Sequence, residues 1–215
     1  MLLLVAAVGF GTLVLSHLAP FPFLLEAFRP DRSLWHMEAN PSRPAVYLTF
    51  DDGPNTDATP MLLDVLQREG ATATFFLIDA HITDETAPLV RRMFQEDHAV
   101  AIHSSARWLM LHTPDGLAGV LREAAARIEQ FAGTRPCSLF RPHAGWRSSS
   151  MYAAIDALDY RLVGWSCGGC RTGTGGARTS PRRWRHASRA APATSRLIPA
   201  LRARGFTLGR LPCGP

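Results

Sequence analysis

At 215 residues, with a net charge of +5 and an ordinary apolar share of 47%, the chain is long enough for one well-packed domain and too short for two comfortable ones. All 23 basic residues are Arg and their distribution is uneven: residues 1–159 carry 18 acids and 12 Arg, net −6, while residues 160–215 carry 11 Arg and no acid. An arginine-only complement reflects GC-rich coding and not a binding signature, and four cysteines (Cys137, Cys167, Cys170, Cys213) are too few and too unevenly placed for a disulfide framework.

From Met1 to Leu25 there is no charged residue, which meets the length of a spanning helix. A cleaved signal peptide is the rival, but a basic leading region and a small-residue cleavage site after a short core are absent. The expectation is an uncleaved membrane anchor over residues 1–28, followed by a Pro-containing linker over 29–42. The nearest basic residues, Arg29 and Arg32, lie on the C-terminal side, so charge alone keeps the domain in the cytoplasm.

From residue 43 the chain repeats strand and helix. Ala45-Val46-Tyr47-Leu48-Thr49-Phe50 reads as a buried strand ending on Asp51-Asp52 and a Gly53-Pro54 stop. Thr59-Pro60 reads as a helix start that runs to Gly70. Residues 73–78 form a second strand, 86–95 a helix, and 99–102 a strand delivering His103. Thr113-Pro114-Asp115 opens a helix that closes at Gly133. Ser138-Leu139-Phe140 delivers Arg141, residues 149–158 are helical, and 160–165 form another strand. Strands that are apolar throughout and alternate with helices predict a parallel sheet covered on both faces, or a barrel. Asp51, Asp52, His103 and Arg141 each fall at the C-terminal end of a strand, where such folds build their sites. Adjacent carboxylates repel, and the pair is tolerable if one binds a cation and the other is free to act as a base; a solvated acidic turn is the alternative.

These residues resemble the polysaccharide deacetylases of the NodB-homology type, carbohydrate esterase family 4, over about residues 43–166. Thr49-Phe50-Asp51-Asp52-Gly53-Pro54 is identical to that family's first motif. The resemblance implies a distorted (β/α) barrel and a metal-dependent hydrolase removing acetyl groups, N-acetyl above O-acetyl, from a glycan. It implies Asp51 as general base, Asp52 as ligand of a divalent ion, expected to be zinc, and a domain on the extracytoplasmic side. The second motif, H-[S/T]-x-x-H, reads His103-Ser104-Ser105-Ala106-Arg107: His103 matches as a ligand, while Arg107 stands where the second His belongs and cannot bind a cation. His112 is a possible substitute ligand or a surface histidine. The third motif aligns with Arg141-Pro142-His143-Ala144-Gly145. It makes Arg141 the partner of Asp51 and the Ala144 N–H an oxyanion donor; His143, in place of the usual Pro, is a substitute ligand, a substrate contact or a packed ring.

Val163-Gly164-Trp165-Ser166 begins the family's fourth motif, and there the pattern stops. Apart from Trp184 and His186, residues 167–196 are all Arg, Gly, Ala, Ser, Thr, Pro or Cys. A segment of that kind cannot bury a core face. Its composition fits translation out of frame over about 167–195, leaving the barrel disrupted near its C-terminus. A genuine basic loop is the alternative, and a nucleic-acid arm is disfavoured for want of Lys and interleaved aromatics. Cys167-Gly168-Gly169-Cys170 lacks the second ligand pair that zinc needs, and the general-acid role is not carried onto His186. Residues 196–215 read as the last helix and strand of the domain. If the site is impaired, a glycan-binding or scaffold protein is the alternative to an enzyme.

Overall fold

The structure, a computed structural model, describes residues 1–18, 32–38, 40, 42–166 and 190–213. Eight strands are formed by those residues: β1 (Ser33–Leu34), β2 (Ala45–Tyr47), β3 (Thr49–Gly53), β4 (Thr74–Leu77), β5 (Ala99–His103), β6 (Leu139–Arg141), β7 (Arg161–Val163) and β8 (Thr207–Gly209). The helices are α1 (Leu2–Leu18), α2 (Ala58–Arg68), α3 (Ala87–Gln95), α4 (Pro114–Ala132), α5 (Ser149–Leu158) and α6 (Ala190–Arg202). Six strands pair in the order β1-β7-β6-β5-β4-β3, and β2 pairs with β8. All these pairings are parallel, as fully apolar strands separated by helices require.

The single strand expected over 45–50 is two strands divided at Leu48. The Leu48 N–H donates to Gly209 O at 3.3 Å, and its carbonyl accepts from the Thr74 N–H at 2.9 Å. The chain therefore leaves the β8 pairing and joins β4 at that residue. Both halves are apolar, so periodicity carries no trace of the break. Among the described residues nothing pairs β8 to β1, and the sheet is a half-barrel.

Alternation along the strands sorts the core. Phe75, Leu77, Val100, Ile102, Phe140 and Leu162 pack under the helices. Phe76, Ala99, Ala101, Leu139 and Val163 form the opposite, inner face with Leu211. Period two then carries His103 from Ala99 and Ala101, and Arg141 from Leu139, onto that inner face. Local chemistry sets the helix ends. The Thr113 side chain accepts the Gly116 N–H at 3.2 Å, and Gly133 closes α4 in the left-handed region, φ 74°. In α2 the expected Thr59 cap is replaced by Asn55, whose Oδ1 accepts the N–H groups of Asp57 and Ala58, both at 2.9 Å.

Four other expectations change. The membrane anchor is overturned: α1 has 17 residues, about 26 Å at 1.5 Å per residue against a hydrocarbon core of about 30 Å. Among the described residues no helix is long and apolar enough to cross a membrane, so the membrane-anchored, extracytoplasmic placement loses its basis. The stretch read as a linker over 29–42 contributes β1, which pairs with β7; two residues are too few to register as a periodic strand. Cys137 and Cys213, 76 residues apart, form a disulfide that spacing alone does not reveal. Finally, α6 starts at Ala190, inside the stretch expected to be irregular to 195. Residues 167–189, with Cys167, Cys170 and His186, lie outside the described residues.

Candidate active site

The rim formed by the C-terminal ends of β3, β5, β6 and β7 gathers the polar residues, and Arg141 is its centre. Its side chain is 1% exposed, a position an ionised group occupies only with partners. Arg141 Nε donates to Val163 O at 3.3 Å and Nη2 to Gly164 O at 3.1 Å. Nη1 donates to Thr49 Oγ1 at 3.0 Å and to Asp51 Oδ1 at 2.6 Å. The guanidinium also lies 3.8 Å from the Phe76 ring centroid, a cation–π placement within the inner face. Burial pulls the Arg141 pKa down, and the charge and hydrogen bond of Asp51 oppose that pull. The second oxygen of Asp51, Oδ2, accepts the Trp165 indole N–H at 3.2 Å. Both carboxylate oxygens are thus held by donors from other strand ends, and Asp51 stays largely shielded at 22% exposure.

Asp52 is turned by a different device. By alternation it would point away from Asp51, out of the barrel. The β3–β4 register shifts between Asp51 and Gly53, and Asp52 takes φ 68°; such a bulge re-aims a side chain. Asp52 Oδ1 lies 3.2 Å from His103 Nε2, with Asp52 62% exposed and His103 4% exposed. His103 Nδ1 is 2.8 Å from Arg141 O; an oxygen acceptor makes Nδ1 the protonated nitrogen and leaves Nε2 to face Asp52. The hydrogen bond to His103 lowers the Asp52 pKa against the opposing effect of burial, and the fields of His103, His143 and His81 add to the lowering. For His103 burial is the largest single influence and works against protonation. The hydrogen bond to Asp52, the Asp51 charge and the Arg141 carbonyl together outweigh it and leave the pKa raised.

This pair fits two ligands of a divalent ion. A carboxylate oxygen and an imidazole nitrogen on one tetrahedral zinc-sized ion stand about 3.3 Å apart, close to the Asp52–His103 separation. Among the described residues, however, no three His, Cys, Asp or Glu side chains close around one point.

The remaining candidates divide. His143 and Ala144 lie in the 3-10 turn His143–Gly145 that follows β6, with Ala144 in the left-handed region at φ 51°, ψ 20°. The His143 ring stacks near that of His103, centroids 6.3 Å apart, and the His143 N–H donates to Ser104 Oγ at 2.5 Å. His112 is not brought to the rim. It caps the 3-10 turn Arg107–Leu111 and lies beside Gly116 in the first turn of α4. Thr49, Trp165 and His81 complete the surroundings without having been singled out for them. Thr49 is legible in hindsight, two residues before Asp51 and so on the same strand face. His81 follows β4 as His103 ends β5, and its Nδ1 is 3.1 Å from Asp52 O. Trp165, in the stretch that begins the fourth motif, reaches Asp51 by a contact across 114 residues, a pairing the motif alone does not give.

Known proteins share this arrangement of chain. A family model described as polysaccharide deacetylase matches residues 38–163. A chitooligosaccharide deacetylase of Sinorhizobium fredii is 52% identical over 61 residues, 28% of this chain and 28% of that protein. A peptidoglycan-N-acetylmuramic acid deacetylase of Bacillus subtilis is 30% identical over 128 residues, 59% of this chain and 48% of the relative. The chain thus spans less than half the length of these two curated relatives. A solved family 4 carbohydrate esterase from Bacillus anthracis has the same fold: the TM-score is 0.70 at 22% identity, over 88% of this chain and 91% of that one. A match running from before β2 to the end of β7 takes in every strand of the rim, and on that ground the chain belongs to the polysaccharide deacetylase family.

Proposed function

We propose that the chain is a hydrolase that removes acetyl groups, N-acetyl in the first place, from an amino-sugar glycan. The observation that carries this reading is Asp51, whose two oxygens are held by Arg141 and Trp165 beside the Asp52–His103 pair. A carboxylate fixed in that way is aimed at one position, as a general base must be. Asp52 and His103 would hold a divalent ion, with zinc the expected species. When bound, the ion supplies Lewis-acid polarisation and a lowered pKa for water. Asp51 takes a proton from the attacking water, whose oxygen bonds to the acyl carbon. The C–N bond then breaks, the proton goes to the leaving amine, and acetate and a free amino sugar result. Arg141 holds Asp51 in place while charge develops. The Ala144 N–H is assigned to the carbonyl oxygen, a main-chain donor that does not depend on the side chain.

A second reading has an observation of its own. Arg107 occupies the motif position of a ligand, and no three-donor cluster is closed among the described residues, which favours a glycan-binding relative without turnover. One experiment separates the two. The full chain, refolded and loaded with Zn²⁺, is incubated with N-acetylglucosamine oligomers and with peptidoglycan, and free acetate is measured. Acetate release supports the hydrolase. Oligomer binding without acetate from folded, metal-loaded protein leaves the binding reading alone standing.

A further inference from the structure

Both donors that hold Asp51 are tied to one glycine. Arg141 Nη2 donates to Gly164 O at 3.1 Å, and Trp165, the next residue, donates its indole N–H to Asp51 Oδ2 at 3.2 Å. Whatever holds Gly164 therefore helps to aim Asp51. Its N–H donates to Leu34 O at 2.9 Å, which extends the β1–β7 pairing of Ser33 with Leu162 and Leu34 with Val163. A two-residue strand holds little by its ladder alone, and side chains of the same segment pin it to α5 and its end. Arg32 meets Asp156 at 2.8 Å and Asp159 at 3.1 Å, and Ser33 Oγ lies 2.9 Å from the Tyr152 hydroxyl.

Trp35, the residue after β1, packs directly on Gly164. A Cβ at 164 would stand 2.6 Å from Trp35 Cδ2 and closer still to Cε3 and Cζ3. Gly164 is not in the left-handed region, so its missing side chain makes room for the ring and is not a demand of the backbone. The Trp35 ring also has the guanidinium carbon of Arg147 at 5.1 Å from its centroid, a cation–π placement. Arg147 is fully buried and follows the turn after β6. One ring thus joins the chain beyond β6 to the chain beyond β7, on either side of the Arg141–Trp165 hold on Asp51.

We infer that Trp35 is a positioning residue for the general base: packed on Gly164, it fixes the carbonyl that receives Arg141 and the indole that receives Asp51. The inference rests on the deacetylase reading above, in which Asp51 takes the proton. Because Trp35 acts through Gly164 and Trp165, its loss should lower kcat and leave KM near the wild-type value.

The test measures two things on the full chain. One is acetate release from N-acetylglucosamine oligomers by Zn²⁺-loaded protein. The other is hydrogen exchange of the Trp165 indole N–H by NMR, its resonance assigned by its loss in Trp165→Phe. Trp35→Ala should lower kcat about tenfold, as loss of one hydrogen bond to a charged group does. Its Trp165 indole should exchange faster than the change in global unfolding allows. Trp35→Leu keeps apolar bulk, guards against a variant that merely misfolds, and should show the same two effects. Trp35→Phe restores a ring against Gly164 and should recover most of kcat. Ile128→Val, a change in the fully buried face of α4, should lower stability with neither effect. If wild type releases acetate, yet Trp35→Ala and Trp35→Leu keep its kcat or their Trp165 indole exchanges no faster than unfolding allows, the role of Trp35 is overturned and the deacetylase reading stands. If wild type releases no acetate but these variants expose the indole, the deacetylase reading falls and the hold of Trp35 on the partner of Asp51 stands. With neither acetate nor faster exchange, both fall.

Discussion

Asp51 and Asp52 are neighbours in the chain and opposites in environment. Asp51 is 22% exposed, and its oxygens meet a buried guanidinium and an indole. Asp52 is 62% exposed and meets the edge of a single imidazole. One half of the rim is complete within the protein; the other is open on the side where a ligand would arrive. The contrast shows how two carboxylates whose charges repel share one strand end. One is neutralised from within, and the other is turned outward by a bulge and left available.

The largest effect is expected at Asp51. Asp51→Asn should cut acetate release by about 10³-fold, in the range of general-base catalysis, while Co²⁺ uptake is retained; loss of metal instead would show that the two halves are not separate. Arg141→Met removes one partner of a buried pair and should cost about 3 kcal/mol in urea unfolding. Asp52→Ala in the metal-free protein should cost less than about 1 kcal/mol, because exposed ion pairs contribute little. Equal losses for the two would remove the distinction between a braced and an open half. Trp165→Phe deletes only the donor to Asp51 Oδ2 and should lower turnover about tenfold, as loss of one hydrogen bond to a charged group does, with little change in metal affinity.

The smallest effect sharpens a related contrast at the two ends of β5. His103 pairs with a carboxylate and has a raised pKa. His98, immediately before the strand, has a side chain 1% exposed and a pKa lowered chiefly by burial. Its Nδ1 accepts the Ala73 N–H at 3.3 Å, as a neutral ring does. Above about pH 6.5 His98 is neutral folded or unfolded and has no effect on the pH dependence. Below that value the unfolded chain takes up a proton that the folded protein resists, so this group makes stability fall as pH drops from about 6.5 toward the folded pKa. Urea midpoints at pH 7.5 and 5.5 should differ less in His98→Gln than in wild type, and an unchanged difference would remove His98 as the cause.

Much of the fold was legible because it is locally encoded. The Thr113 cap and the Gly133 stop bound α4 within a residue of expectation, and α5 falls at Ser149–Leu158 as its pattern requires. What escaped was non-local or too short. β1 has two residues and gains meaning only beside β7. The Cys137–Cys213 bridge depends on the C-terminal end returning to the turn before β6. The anchor expectation failed because absence of charge was counted through Leu25, whereas the described helix ends at Leu18.

By itself the sequence determined that a parallel α/β sheet would form and that Asp51, Asp52, His103 and Arg141 would stand at strand ends, since hydrophobic periodicity and turn residues act over a few positions of chain. Only the tertiary structure decided how those residues meet. Alternation aims His103 and Arg141 inward, the β3 bulge turns Asp52 toward His103, and Trp165 closes on Asp51 from across 114 residues. Tertiary contacts also bring His143 to the rim and leave His112 away from it. Register, bulges and contacts between distant strands depend on which segments pack together, and that information is spread over the whole chain.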